Sequence, residues 1–246
     1  MKKIIVAGIA IFCSGWIGSA VAGPITWDTV SGTGSCTSGA GNSCTFTGND
    51  GEILKARAYA TNNNSGTGAF KKATLTIWDG GLGVKNPDSS NENSNPNHAV
   101  DNNGRDDLVV FEYASPSDFI TFEYTSFEIG WRYWDSDVSV WIGGEGLMAD
   151  YDFTSKKFSD LASLGFTKFD FNDVPINTQQ NLASYSGPYL ILAPKFGDSL
   201  DFIKISQING EKTEVRFPPA EIPEPGSIAL FSAALIGLWA NRRKRS

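Results

Sequence analysis

The chain holds a single histidine, His98, and three cysteines in 246 residues. That scarcity removes whole classes of chemistry. A histidine-rich zinc centre cannot be built, and a histidine-based triad would have to converge on residue 98. Cations are also few: 20 Lys and Arg stand against 27 Asp and Glu, a formal net charge of −7. Such a chain lacks the clustered Lys and Arg that displace counterions from nucleic acid, so that partner is excluded. No Gly-x-Ser-x-Gly elbow, phosphate-cradling glycine loop or internal repeat is present. What remains is rich in 26 glycines and 12% aromatic residues, a composition of strands and turns.

The two ends read as addresses. Lys2 and Lys3 precede a mostly apolar run from Ile4 to Ile17, and Ala20-Val21-Ala22 supplies a small-x-small cleavage site. That order is a secretory signal peptide over residues 1–22, with Gly23 as the mature start and the Sec machinery as exporter. Cys13 lacks the small residues that a lipoprotein signal places before its cysteine. At the other end, Pro223-Glu224-Pro225 is followed by an uncharged stretch from Ile228 to Ala240 and then Arg242-Arg243-Lys244-Arg245. A helix over that stretch would span roughly 20 Å at about 1.5 Å per residue. A hydrocarbon core is about 30 Å thick, so the short transmembrane helix can serve only as a transient inner-membrane anchor. Its basic end would stay in the cytoplasm.

This three-part tail resembles the PEP-CTERM sorting signal of Gram-negative bacteria. The resemblance rests on Pro223, Glu224 and Pro225, the apolar segment and the basic end. It implies recognition by an exosortase, processing near Pro-Glu-Pro, and delivery to the cell surface or into extracellular polysaccharide. The stretch from His98 to Asp107, with Gly130-Trp131 and Asp135-Ser136-Asp137, is also similar to a group of exosortase-dependent surface proteins. That similarity implies a shared exported domain and hands over no active site.

Between the ends, residues 23–217 predict one domain, with 218–222 as a stiff linker and 223–246 as the sorting signal. Period-two alternation marks strands at Ile25–Val30, Cys44–Thr47, Ile53–Thr61, Ala73–Trp78, Leu108–Tyr113, Phe119–Tyr124, Phe127–Tyr133, Val138–Ile142, Tyr189–Ala193, Leu200–Ile205 and Thr213–Phe217. One short helix is expected over Lys157–Leu164, closed by Gly165. The fold expected is all-β: an antiparallel β-sandwich, jelly-roll-like. The polar stretch from Lys85 to Arg105, with seven Asn, reads as a long functional loop or disorder. In an oxidising compartment Cys36 and Cys44 would form a disulfide. The alternative is two free thiols.

Two constellations could bind. Asp101, Asn103, Asp106 and Asp107, with Asp135 and Asp137 further on, offer the oxygen ligands that Ca2+ takes. The same residue types also cap turns by bonding their own backbone, and both readings stand. The glycine falls at the wrong position for an EF-hand. Trp134 and Trp141 lie opposite the apolar face in the strand register, so they are the candidates for stacking on sugars, whereas Trp131 is expected in the core with Phe127 and Ile129. No pair of acids has a context that separates an acid from a base.

The expected role is therefore an exported, non-catalytic surface or matrix protein associated with exopolysaccharide or biofilm. A Ca2+-dependent, lectin-like module and a secreted polysaccharide hydrolase are the alternatives. Retaining only Gly23 to Pro225 leaves 14 basic against 27 acidic residues, a net −13. An exported domain that acidic makes divalent cations more plausible as partners and nucleic acid still less so.

Overall fold

The computed structural model describes residues 21–63, 65–86, 98–114, 120–182, 185–198 and 200–214, all within one compact unit, Val21–Glu214. The expected signal peptide as far as Ala20, the expected linker and the expected sorting segment lie outside the described residues. So does Thr213–Phe217 beyond Glu214. Among the described residues no helix is long and apolar enough to cross a membrane.

Among the described residues, fifteen strands form two antiparallel sheets packed as a sandwich. The first sheet contains β1 (Val21–Asp28), β6 (Thr74–Trp78), β7 (Gly81–Lys85), β8 (Val100–Asp101), β10 (Ile120–Trp134), β13 (Gln180–Asn181) and β15 (Asp201–Glu214). Its order is β13-β10-β15-β7-β6, with β1 and β8 also paired to β15. The second contains β2 (Gly34–Cys36), β3 (Ser43–Thr47), β4 (Ile53–Thr61), β5 (Phe70–Lys72), β9 (Asp107–Tyr113), β11 (Val138–Gly143), β12 (Phe166–Phe171) and β14 (Tyr189–Pro194). Its order is β12-β11-β14-β9-β4-β3-β2, with β5 on β4.

Alternating residues of both sheets meet in the middle. Ile25, Trp27, Phe46, Phe111, Phe127, Val140, Leu190 and Ile203 are all buried there. The intervening residues of β9, β11 and β14 are buried as well. Leu108, Val110, Trp141 and Ile191 face outward and are covered by Phe153, Phe158, Leu161 and Phe166. Burial on both faces explains why these three strands read as nearly continuous apolar runs.

The expected helix is instead two 3-10 turns, Phe158–Asp160 and Ala162–Leu164. The spacing accounts for this: Phe158, Leu161 and Leu164 recur every three residues, the period of a 3-10 turn rather than of an α-helix. Gly165 ends the segment at φ 86°, a conformation glycine adopts without strain.

Two pairs of expected strands are single long strands. β10 runs unbroken through Thr125 and Ser126, and β15 runs through the polar Ser206 to Lys212. The pattern is broken there by polar groups that find partners. Asn209 donates to Ser126 Oγ at 2.9 Å and accepts from Thr26 Oγ1 at 2.7 Å. Gly210 lies against the Phe122 ring, where a Cβ would have no room. β7 was not expected, yet Gly81 to Val84 are all buried.

Cys36 and Cys44 form the disulfide, directly opposite one another on β2 and β3 with Cα atoms 4.0 Å apart. A closed loop this short is worth about 2.5 kcal/mol in the chain-entropy picture. Replacing both cysteines with serine is expected to lower the melting temperature by roughly 5 °C, read by circular dichroism. An unchanged midpoint would show that the bridge holds only a frayed edge.

Candidate functional site

One end of the sandwich gathers the acids that the sequence places far apart. Asp135 and Asp137 follow β10, Asp173 follows β12, and Asp201 opens β15. The carboxylates of Asp135, Asp137 and Asp173 lie within 4.8 Å of one another. Asp201 sits beneath them, fully buried. Its Oδ1 accepts the Asp137 N–H at 2.9 Å and its Oδ2 accepts Asn102 Nδ2 at 2.8 Å. Asn102 Oδ1 accepts the Asp201 N–H at 2.8 Å, which closes a reciprocal pair. Burial pushes the Asp201 carboxyl up to about 6, against the pull of those hydrogen bonds.

A cation is already present. Lys195 Nζ reaches Asp137 Oδ2 and Asn172 Oδ1, both at 2.9 Å. The bond to Asp137 holds the Lys195 ammonium above the ordinary lysine range. Asp137 Oδ1 accepts the Asp173 N–H at 2.7 Å, and Asp135 Oδ1 accepts the Ser136 N–H at 2.8 Å. The acids thus act mainly as caps and struts for the turns at this end.

The six candidate Ca2+ ligands do not assemble as one set. Among the described residues, only Asp135 and Asp137 of the six join an acidic group of three, and their third member is Asp173. Asp101 accepts the Asn103 N–H at 3.0 Å, a local turn bond. Asp107 is buried in β9 opposite Ala60. The Asp106 N–H donates to Thr61 Oγ1 at 3.0 Å, and its carboxylate abuts Gly66. Asp173, Asp201, Asn102 and Lys195 were missed because nothing in their local sequence signals convergence across four separate segments.

Burial alone lifts Asp106 to about 6. The folded chain therefore holds this proton between the ordinary carboxylate range near 4 and pH 6, where the unfolded chain has lost it. Stability contributed by Asp106 falls as pH rises through that window, and the cost of the buried charge is full above it. Asp106→Asn is expected to raise the melting temperature at pH 7.5 and to leave it nearly unchanged at pH 4. A variant that melts lower at pH 7.5 would mean that the carboxylate is held by favourable contacts.

The aromatic residues form a second feature, on the outer face of the first sheet. Register shifts in β10 at Glu128/Ile129 and Ile129/Trp131 interrupt the alternation around Gly130. Ile129 stays buried, while Trp131 turns outward with Tyr133, contrary to the expected core position. Trp131 and Tyr133 stack at 6.4 Å, and Tyr133 and Trp134 at 5.2 Å. Lys204 Nζ lies 5.0 Å from the Trp131 ring and 5.1 Å from the Trp78 ring, and His98 stacks on Trp78 at 5.5 Å. Trp134 is exposed, at 66%, beside Tyr133 rather than on the opposite face. Trp141 is not: it is 4% exposed, with Phe158 stacked on its ring at 5.1 Å. Both of its strand's faces are covered, which the alternation could not show.

The PEP-CTERM protein-sorting motif matches residues 221–245. That motif implies an exported protein processed by an exosortase and associated with the surface. No curated protein and no solved structure matches the chain.

Proposed function

We propose that this protein is a non-catalytic component of the cell surface or extracellular matrix, retained there through exopolysaccharide. The sorting motif at 221–245 carries the reading. The Sec machinery would export the chain, Ile228 to Ala240 would anchor it transiently in the inner membrane, and exosortase would release it by processing near Pro223-Glu224-Pro225. The sandwich would then act outside the cell as a stable, disulfide-stapled unit. Its repeated crossings between sheets, as from β9 to β10 and from β10 to β11, support the jelly-roll-like description.

The non-catalytic reading is supported by where the perturbed acids lie. Asp106 and Asp201, the two carboxyls held near 6, are buried with different neighbours, and each is tied into the turn or strand end beside it. Asp201 has Asp135 and Asp137 as charged neighbours, but it lies buried, with its oxygens taken by the Asp137 N–H and Asn102. A Ca2+-dependent lectin gains less support, because Lys195 already neutralises Asp137.

The test is fractionation of the producing cells with and without their exosortase. The protein is expected in the exopolysaccharide fraction of the first and in the membrane of the second. Equal distribution in the two strains would refute the reading. Release of reducing ends from a polysaccharide panel by the purified protein would refute its non-catalytic part.

A further inference from the structure

The outer face of the first sheet exposes more aromatic surface than packing requires. Trp78 is 43% exposed, Tyr133 37% and Trp134 66%. They lie in one row with Trp131, Trp78 on β6 and the other three on β10, with Lys204 of β15 between Trp78 and Trp131. Contiguous exposed apolar surface of this kind marks a contact site on a soluble domain. Beneath the row, Phe202 forms a buried floor, edge-on to Tyr133 at 5.9 Å and to Trp134 at 6.1 Å. Gly80 holds the row close to the sheet, since a Cβ there would strike Trp131 Cβ.

Two further features single the row out. Trp134 has φ 58°, a left-handed conformation that strains a bulky residue. It is fixed there by pairing with Asp201 and by the Phe202 N–H donating to the Asp135 carbonyl at 3.1 Å. The strain is spent on presenting the ring to water, not on burying it. The second feature is Lys204. Its half-buried ammonium lies between two indoles and has no carboxylate partner among the described residues. Phe202 and Ser206 on its own strand face and Trp131 opposite it carry no charge. Burial lowers its proton affinity.

We propose that this row, Trp78, Trp131, Tyr133 and Trp134 around Lys204, is a binding platform for a carboxylate-bearing polysaccharide. The inference rests on the proposed exopolysaccharide association and names its site and ligand class. The apolar faces of sugar rings pack on the exposed aromatic surface, Trp134 above all, as amphipathic rings do at wet interfaces. A uronate carboxylate supplies the counter-charge that Lys204 lacks among the described residues. The domain's net negative charge acts mainly at long range, where salt screens it beyond about 8 Å. At contact the local cation decides.

The test uses the secreted, processed protein and beads carrying polygalacturonate or neutral dextran. Saturable binding is expected on polygalacturonate and little on dextran. Trp134→Ala and Lys204→Met should each weaken it at least tenfold, and Lys204→Arg should retain most of it. Thermal unfolding of each variant, matched to the parent, confirms that the fold is kept; Trp134→Tyr, expected to bind measurably, serves if the alanine variant is destabilised. No binding to polygalacturonate, or binding indifferent to both substitutions, would overturn the site. Equal binding to dextran would overturn the role of the carboxylate. If Trp134→Ala and Lys204→Met still reach the exopolysaccharide fraction of cells, the platform is wrong while the matrix reading stands. If the parent never reaches that fraction, the matrix reading itself falls.

Discussion

Replacing Pro223, Glu224 and Pro225 with alanine is expected to keep the protein in the membrane with its C-terminus intact. Release into the medium should fall at least tenfold. The sorting motif spans 221–245, and its three parts have separate physical tasks. As proposed above, the uncharged stretch from Ile228 to Ala240 would partition into lipid, and Arg242 to Arg245 would hold its far end in the cytoplasm. Neither part depends on Pro-Glu-Pro, so anchoring survives while recognition for cutting is lost. Fractionation and mass spectrometry of the C-terminus provide the measurement. A released variant with the parent's mature C-terminus would show that processing is directed by some other element.

Asn102→Ala is expected to cost about 3 kcal/mol, the scale for leaving a buried charge without its partner. The substitution removes an acceptor from the Asp201 N–H and a donor from Asp201 Oδ2, both at 2.8 Å. Asp201 is fully buried, so water cannot replace either bond. For a domain of this size the loss corresponds to roughly 10 °C in melting temperature. Asp201 is already lifted to about 6, and losing Asn102 should lift it further. The folded chain then holds that proton to higher pH, so the deficit should shrink on acidification from pH 7.5 to pH 5. A deficit independent of pH would mean that the damage is to packing and not to the charge. Asn102→Asp would set two acids side by side and should be worse than alanine at pH 7.5.

Much of the sandwich was legible because alternation is a local signal. The strand expected at Ile53–Thr61 is β4, residue for residue, and the one at Val138–Ile142 differs from β11 only by Gly143. Alternation failed where the chain departs from its own period. The shifts around Gly130 moved Trp131 to the outer face, and buried Asn209 and Gly210 concealed the continuity of β15. The helix expected from Phe158, Leu161 and Leu164 was a misread period. Trp141 lost its candidacy because a segment twenty residues away in sequence covers its ring, a contact with no local signature.

The sequence by itself determined the destination of this protein and the character of its middle. Address signals are read as linear segments by other machinery, so they are complete in the order of their residues. The acidic charge and the two-residue period are likewise properties of the chain before it folds. Only the tertiary structure decided which acids meet, which rings reach water, and that Lys204 lies between two indoles. Those outcomes depend on pairings between residues about a hundred or more positions apart, such as Asn102 with Asp201 and Trp78 with Lys204, and on bulges that rotate one side chain past another. Local sequence constrains each partner singly, and only the packed sheets bring them together.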